Sequence, residues 1–248
     1  MELNKNLTAI ILAAGKGRRL GHLTERLPKC LLAVAGQPVL FYQLQALRRV
    51  GIKQVVITTG FMESTVSNFT KTHFPNLEFT FVTNEKYATT NTLYSLALAA
   101  EAVAKHDTVL QLNGDVVFDE AIIEQLCSTP PEKSYLCLRR GICGEEEVKI
   151  LLSPDGAVEK VNKLVSPHLA LGEAIGINKF STPFWAALKK ALRKLREQYA
   201  QEYFEYAVEA TIRARNKIFP FDIGDKNAIE IDFPEDLLRA EKEFSIKT

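Results

Sequence analysis

An apolar run at residues 9–14 ends abruptly in a loop rich in glycine and cations, and this segment limits the possible folds of the chain more than any other. The run is short and contains β-branched residues, a pattern that indicates a buried strand. Glycine adopts positive φ and lets a bulky anion approach the backbone. Backbone N–H groups with fixed cations beside them form phosphate sites. The loop contains two glycines and three cations: Gly15, Lys16, Gly17, Arg18 and Arg19. A further cation, Lys29, follows a proline, which restricts the backbone before it. The segment therefore predicts a site for a nucleoside triphosphate.

Two other classes of phosphate-binding loop are also rich in glycine, and neither matches the glycine spacing of this chain. A dinucleotide fingerprint reads Gly-x-Gly-x-x-Gly and opens a helix directly, whereas these glycines stand at positions 15, 17 and 21. A P-loop needs Gly-Lys followed by Ser or Thr, and here Gly17 follows Lys16. The spacing therefore disfavours both alternatives.

The wider pattern resembles the signature of the nucleotidyltransferases that activate sugar phosphates and alcohol phosphates. The matching segments are residues 12–20 (LAAGKGRRL), 28–31 (PKCL) and 36–38 (GQP). The resemblance implies that Arg19 and Lys29 are catalytic cations that neutralise charge on the α-phosphorus. It also implies nucleotide binding by Leu12, Ala13, Ala14, Gly15 and Gly17. One departure is Arg18, where the family usually has Thr or Ser, which puts one hydroxyl contact in doubt and adds a cation.

Length and charge limit the class of protein. A chain of 248 residues is long enough for one sizeable core, and we expect a single domain over 1–248, with a nucleotide-binding half (1–128) and an acceptor-binding half (129–248). The net charge of +1 gives no electrostatic case for binding nucleic acid or an anionic membrane. The polar N-terminus has no secretory pattern. The four cysteines lack Cys-x-x-Cys spacing and indicate reduced thiols in a cytoplasmic protein.

Strand and helix patterns alternate through the first half of the chain. Further strands are predicted at 54–59, 77–82 and 108–112, with helical patterns between them. This alternation predicts an α/β fold with a Rossmann-like, mixed but mostly parallel sheet flanked by helices. Ligands of such sheets gather at the carboxyl ends of the strands, where the glycine loop already lies.

Asn84, Asn91 and Thr92 lie in a segment that has two interpretations. Asn91 is suited to cap the helix that follows, and an amide contact with nucleotide or substrate is the alternative. Asn-Glu-Lys-Tyr at 84–87, followed by Asn-x-x-Tyr-Ser at 91–95, is similar to the phosphocholine cytidylyltransferase branch. That similarity implies that Asn84, Asn91 and Thr92 bind the nucleotide and that the nucleotide is CTP.

Two acidic segments are candidates for a metal site. Asp115 follows a buried strand and a glycine, and Mg²⁺ prefers carboxylate and phosphate oxygens. Glu230 and Asp232 share one face of a short strand, with no cation beside them in that segment. Helix capping is the alternative for both segments, and Asp119 suits a cap better than a metal. The resemblance implies that Asp115 and Asp232 bind Mg²⁺, with Glu230 beside them.

The second half predicts antiparallel strands at 135–138, 146–152, 158–164 and 173–180, which elaborate the same sheet on the acceptor side. A helix from Pro183 carries a run of cations, interpreted as a solvated face rather than a docking surface for an acidic partner. The segment 202–206 (EYFEY) is either a helix start with core aromatics or a pocket for a cation. Its similarity to the Tyr-Trp-Asp of phosphocholine enzymes favours the pocket. The acceptor-binding residues expected are Tyr203, Glu205, Glu173, Lys163 and Glu230, although Lys163 also suits a solvated position.

These observations predict a Mg²⁺-dependent nucleotidyltransferase. We expect it to transfer CMP from CTP to a phosphorylated small alcohol or a phosphonate, with release of pyrophosphate, and to act as a monomer or homodimer without nucleic acid or membrane insertion. A sugar-1-phosphate nucleotidyltransferase is the nearest alternative. A metal-dependent glycosyltransferase would carry Asp-x-Asp where this chain has Asn113-Gly114-Asp115. A non-catalytic nucleotide sensor would be expected to lack Lys29 or an acidic ligand.

Overall fold

The computed structural model describes residues 7–104 and 107–245. The polar N-terminal segment, residues 1–6, lies outside the described residues. The strands are β1 Leu7–Leu12, β2 Ala33–Val34, β3 Gln37–Pro38, β4 Gln54–Thr59, β5 Glu78–Thr83, β6 Thr108–Asn113, β7 Val116–Phe118, β8 Tyr135–Arg140, β9 Lys149–Leu152, β10 Val158–Asn162, β11 Gly172–Phe180, β12 Phe219–Asp222 and β13 Ala228–Glu230. The α-helices are α1 Val39–Arg49, α2 Glu63–His73, α3 Thr92–Glu101, α4 Ala121–Cys127, α5 Thr182–Leu195, α6 Glu205–Arg213 and α7 Pro234–Ser245.

A nine-stranded mixed sheet forms the centre of the fold. Its path runs β10-β9-β11-β6-β1-β4-β5, β8 pairs with β11 beside this path, and β12 pairs with β8. The strands β6, β1, β4 and β5 are parallel, whereas β11 runs antiparallel to β6, β8 and β9. The predicted α/β class, with an antiparallel elaboration of one sheet, is confirmed.

Alternating side chains of β1 enter two different cores. Ala9 and Ile11 pack with α1 and α4 on one face of the sheet, and Ile10 and Leu12 pack with α3, α5 and α6 on the other. Period-two alternation in a strand requires this division once both faces are covered. A third cluster joins α7 to β2, β7 and β13. This cluster fixes the C-terminal segment beside the first loop.

Strands β9 and β10 are shorter than predicted. Side-chain hydrogen bonds to nearby backbone explain the late start of β9 and the early end of β10. Residues 146–148 form a loop instead of the start of β9, because the buried Lys149 ammonium donates to the carbonyls of Gly144, Glu145 and Glu147. Strand β10 ends at Asn162 because its Oδ1 accepts from the N–H groups of Leu164 and Val165 and turns the chain.

Cysteine pairing and helix polarity complete the description of the fold. All four cysteines are free; Cys127 is half-buried and the other three are buried. Within residues 7–104 and 107–245, each helix is too short or too polar to cross a bilayer.

Candidate active site

The glycine loop begins where β1 leaves the sheet. Ala13 and Ala14 stay buried, and the Ala13 N–H donates to the carbonyl of Thr58 while the Ala14 carbonyl accepts from Phe61. Gly17 adopts φ 67°, a conformation that favours glycine. A Cβ added at Gly17 would lie 3.2 Å from the Lys29 Cβ. The loop therefore packs directly against the stem of the lysine that the sequence assigned to the same site.

Asp115 is brought to this loop by a backbone contact between β1 and β6. The Gly114 N–H donates to the Leu12 carbonyl at 2.9 Å, and a Cβ at Gly114 would lie 2.6 Å from that same oxygen. Only glycine permits so close an approach. Gln43, fully buried on α1, donates to the carbonyls of Asn113 and Val116, both at 2.8 Å. These two hydrogen bonds hold the turn that carries Asp115 at the residues before and after it.

Glu230 ends strand β13, and Asp232 lies two positions beyond it, so the two acids do not share one strand as predicted. Glu230 is paired with Val116 of β7, and the Ile231 N–H donates to the Asp115 carbonyl at 2.9 Å. Asp236 Oδ2 accepts from the N–H groups of Asp232 and Phe233 and orders the start of α7. As a result, Asp115, Glu230 and Asp232 each place a carboxylate oxygen within 4.8 Å of the others.

The acids have no cation beside them in their own segment, but the fold brings two cations from the N-terminal loop to them. Lys29 Nζ lies 2.7 Å from Asp115 Oδ2 and 2.5 Å from Asp232 Oδ1. Arg19 Nη2 lies 2.9 Å from Asp232 Oδ2, and its guanidinium stands 5.0 Å from the centre of the Phe233 ring. Lys29 and Asp232 are 203 positions apart in the chain, so no local pattern could have indicated the pairing.

The electrostatics of the cluster follow from this crowding. Desolvation pulls the pKa of Lys29 down, but the charges and hydrogen bonds of Asp115 and Asp232 outweigh it and hold that pKa above its ordinary value. Glu230 keeps a solvent-exposed face. Even so, the protein atoms around its carboxyl desolvate it, and together with the charges of Asp115 and Asp232 they raise the pKa of Glu230 to about 8.

The acidic cluster fits a hard divalent cation. Its donors are all carboxylate oxygens, the set that Mg²⁺ prefers. Among the described residues, Asp115 Oδ1 is buried and has no hydrogen-bond partner, an arrangement that costs free energy unless a ligand satisfies the oxygen.

The predicted capping role fits Asp119 less well, because Glu120 is the N-cap residue of α4 while Asp119 Oδ2 accepts from the Asn227 N–H.

The predicted nucleotide amides already have partners inside the protein. Asn84 is buried and donates to Thr90 Oγ1 and Ser95 Oγ. Asn91 caps α3, because its Oδ1 accepts from the Thr92 N–H at 2.8 Å. The Thr92 hydroxyl in turn accepts from the Phe204 N–H at 2.9 Å. This segment therefore connects the nucleotide side of the fold to the acceptor segment, and its contact with nucleotide stays a prediction.

The predicted acceptor residues divide into two groups. Lys163 Nζ lies 5.5 Å from the centre of the Tyr203 ring, which is 41% exposed. Glu205 is buried beside them; burial raises its pKa to about 7, against the opposing charge of Lys163, and its Oε2 has no partner among the described residues. Glu173 lies apart on β11, where desolvation and the charge of Glu147 raise its pKa while Arg139 opposes the shift.

Two contributors to the site, Gln43 and Phe233, were not predicted from the sequence, and Gly114 was noted only as the glycine that precedes Asp115. Gly114 stood next to a predicted ligand, and the glycine before the acid was a usable signal. Gln43 offered a weaker one, as a polar residue on the apolar face of α1. Phe233 gave no signal, because its role depends on Arg19 from the far end of the chain.

Comparison with known proteins identifies the domain. The family model described as "MobA-like NTP transferase domain" matches residues 9–170, more than half of the chain. The chain is 31% identical to CMP-5'-(3-aminopropyl)phosphonate synthase of Streptomyces rubellomurinus, over 96% of this chain but only 38% of that protein. It is 25% identical to CTP:phosphoglutamine cytidylyltransferase of Campylobacter jejuni, over 93% of this chain and 98% of the relative.

A solved structure has the same fold. The CTP:phosphocholine cytidylyltransferase from Streptococcus pneumoniae superposes with a TM-score of 0.76 at 23% identity, covering 96% of this chain and 99% of that one. With the family match, this agreement in fold confirms the resemblance drawn from the sequence. The chain belongs to the MobA-like NTP transferase family and is a nucleotidyltransferase.

Proposed function

We propose that this MobA-like domain is a Mg²⁺-dependent cytidylyltransferase, which transfers CMP from CTP to a small phosphorylated alcohol or a phosphonate and releases pyrophosphate. The observation that carries the proposal is the convergence of the two signature cations, Lys29 and Arg19, with Asp115 and Asp232 in one cluster. A polyphosphate needs cations, and a metal that bridges phosphates needs acids.

The choice of CTP rests on the relatives. Two proteins that align along more than nine-tenths of this chain are named for CMP or CTP chemistry. The similarity of residues 84–95 to the phosphocholine branch points the same way. The same names support an acceptor that carries a phosphonate or phosphate group.

The transfer reaction requires positioning and charge neutralisation of the substrates, and it does not require a general base. The acceptor's phosphate or phosphonate oxygen is already ionised at neutral pH, so it attacks the α-phosphorus without losing a proton. The main barrier is to hold two polyanions together and stabilise the charge that develops on the α-phosphoryl group. Lys29 and Arg19 contact the donor phosphates, and backbone N–H groups of residues 12–17 orient them. Asp115 and Asp232, with Glu230 beside them, would hold the Mg²⁺, which would neutralise phosphate charge when bound.

In this proposal the acceptor contacts Tyr203, Glu205 and Lys163, and Glu173 on β11 is a separate contact. The buried Glu205 carboxyl with its unpartnered oxygen supports recognition of a positively charged group on the acceptor. The Lys163 ammonium lies over the Tyr203 ring and supplies a positive charge for the phosphate of the acceptor.

Two further proposals concern the domain organisation and the cellular compartment. The antiparallel pairing of β6 with β11 joins the two halves in one sheet, which supports a single domain over 1–248. Free thiols support residence in the reducing cytoplasm.

Pyrophosphate release tests the proposal. The chain is incubated with Mg²⁺, each of four NTPs, and a panel of acceptors: phosphocholine, phosphoethanolamine, aminoalkyl phosphonates, inositol phosphate and sugar 1-phosphates. We expect release with CTP and an amino-alcohol phosphate or aminophosphonate, and none from the Asp115→Asn variant. Release only with UTP or dTTP and a sugar phosphate would replace the proposal with the sugar-nucleotide alternative. No release from any pair would overturn it.

A further inference from the structure

Three side-chain amides, Asn178, Gln111 and Asn113, form a hydrogen-bonded row along the boundary between β6 and β11. Asn178 Nδ2 donates to Gln111 Oε1 at 2.6 Å, and Gln111 Nε2 donates to Asn113 Oδ1 at 2.9 Å. Gln111 is fully buried and Asn178 is buried, whereas Asn113 is half-buried at the end of β6. The amide row therefore runs from the core of the sheet to its carboxyl edge, where Asp115 follows two positions later.

The surroundings of the amide row are otherwise apolar. Val109 and Phe180, the next cross-strand pair on the same face, are fully buried against α3 and α5. Amides in such surroundings cost free energy unless each is hydrogen-bonded. A bonded network of this kind holds one arrangement of its members. The amide row therefore replaces apolar packing with a fixed orientation of its last member, Asn113.

This orientation leaves Asn113 as a hydrogen-bond donor at the edge of the sheet. Its Oδ1 is taken by Gln111, and its Nδ2 donates to no other group within residues 7–104 and 107–245 and reaches solvent. Gly176 of β11 adopts φ 67°, and a Cβ added there would lie 2.6 Å from Asn113 Nδ2. Glycine at 176 thus makes room for the nitrogen. The amide is confined on both sides, with its N–H groups available to a ligand.

Asn113 lies between the elements assigned to the two substrates. Its register partner on β1 is Leu12, at the start of the glycine loop. Its neighbour on β11, Gly176, stands three positions from Glu173, a predicted acceptor residue. A free N–H donor binds an oxygen atom of a ligand. A phosphate or phosphonate is the oxygen-bearing group that every acceptor of the proposed class has in common.

We infer that Asn113 Nδ2 donates to an oxygen of the acceptor's phosphate or phosphonate, and that Gln111 and Asn178 are positioning residues that keep the nitrogen toward it. This inference rests on the proposed function for the class of acceptor. It adds a binding residue outside the predicted set. A hydrogen bond to an ionised oxygen is charge-assisted and strong. The reversed amide would present its own oxygen and repel the same group, so the orientation set by Gln111 decides the effect of Asn113.

Acceptor binding by the full chain tests the inference without turnover. Phosphoethanolamine and an aminoalkyl phosphonate are titrated calorimetrically into chain saturated with Mg²⁺ and a CTP analogue that has a non-hydrolysable α–β bridge. We expect Asn113→Leu, which is similar in size but has no donor, to weaken acceptor binding about tenfold or more. Its affinity for the CTP analogue should stay that of the wild type, which also shows that the variant is folded.

Asn216→Leu is the matched control. Asn216 is also half-buried, and its Nδ2 donates to the carbonyls of Thr211 and Ala214 at the C-terminal end of α6. This control should bind the acceptor as the wild type does. Unchanged acceptor affinity in Asn113→Leu would overturn the inference. An equal loss of affinity for the CTP analogue would also overturn it, as would a wild type that binds neither acceptor.

A double-variant cycle tests the positioning role. Gln111→Met keeps the length of the side chain and removes the hydrogen bond to Asn113 Oδ1. We expect it to weaken acceptor binding by itself and to add no further loss to Asn113→Leu, because the two residues act as one unit. Additive losses would overturn the positioning role. If Asn113→Leu fails to fold, Asn113→Ser, which is smaller and lacks the nitrogen, replaces it in both titrations.

Pyrophosphate release by the wild type is measured separately with the same acceptors. Release by the wild type together with unchanged acceptor binding in the Asn113 variants would overturn this inference and leave the proposed transfer reaction standing. No release from any pair would instead overturn the transfer reaction. The two failures are therefore distinguishable.

Discussion

The backbone N–H of Ile231 donates to the carbonyl of Asp115 at 2.9 Å. This bond joins the turn after β6 to the segment that carries Glu230, at the end of β13, and Asp232. Through it, acids from two distant parts of the chain become one cluster beside the glycine loop. The alignment of the cluster therefore depends on backbone contacts around Asp115 as much as on the acids themselves.

Lys29→Ala should lower turnover by orders of magnitude while leaving the fold intact. The substitution removes the cation that contacts the donor phosphates, and charge stabilisation is a large part of phosphoryl-group catalysis. Steady-state pyrophosphate release measures the effect, and far-UV circular dichroism checks the fold. An unchanged rate would remove Lys29 from the mechanism.

Gln43→Leu should destabilise the chain by about 2–3 kcal/mol and reduce activity. The variant leaves the carbonyls of Asn113 and Val116 without their buried donor, and buried unsatisfied carbonyls are costly. Urea unfolding measures the stability. Gln45→Leu on the same helix is the control, because Gln45 is only half-buried and accepts from the exposed Arg48. Equal losses in the two variants would show that Gln43 does not hold the Asp115 turn.

Gly114→Ala should be poorly tolerated, since its Cβ would lie 2.6 Å from the carbonyl oxygen of Leu12, a backbone atom at the end of β1. We expect a loss of free energy of unfolding of about 2 kcal/mol or more, comparable to other overpacked sites. Gly15→Ala is the comparison, because an added Cβ there meets no atom within 4 Å. Thermal unfolding of both variants distinguishes them, and similar melting temperatures would contradict the close approach.

Glu205 should make stability depend on pH. Burial raises the pKa of Glu205 to about 7, above the value of about 4.3 for glutamate in an unfolded chain. The folded chain thus retains a proton that the unfolded chain loses, so the stability from this group is complete below about pH 4 and is lost as pH rises through about 7. Glu205→Gln stays neutral, and its free energy of unfolding relative to the wild type should rise across that window, by up to about 3 kcal/mol.

Urea unfolding at several pH values measures that difference. Glu202→Gln, a change at an exposed neighbour, is the control for the loss of a carboxylate from this segment. A pH-independent difference for Glu205→Gln would show that this carboxyl ionises alike in the folded and unfolded chain.

Local patterns were sufficient to predict the sheet and the loop. The β-branched run of β1, the caps and the period-two alternation act over a few residues, and the sequence shows them directly. The shortened ends of β9 and β10 were missed because they depend on side-chain bonds from Lys149 and Asn162 to nearby backbone. Those bonds compete with strand pairing in a way that a hydrophobic pattern does not report.

The site was predicted as a set of residues rather than as an arrangement. Arg19, Lys29, Asp115 and Asp232 were each named, and the structure brings them together. Their mutual pairing was missed because it joins residues from opposite ends of the chain. Gln43 and Phe233 were missed for the same physical reason, since each acts on a partner far away in sequence.

The most direct test of the account follows the α-phosphorus of CTP. Chain is incubated with Mg²⁺, CTP labelled at the α-phosphate and an aminoalkyl phosphonate or amino-alcohol phosphate, and the products are separated. We expect the label to appear in a CMP–acceptor conjugate, together with an equal amount of unlabelled pyrophosphate. The Asp115→Asn, Asp232→Asn double variant should form neither product. Label that stays in CTP with every phosphorylated acceptor, or a conjugate formed equally well by the double variant, would contradict it.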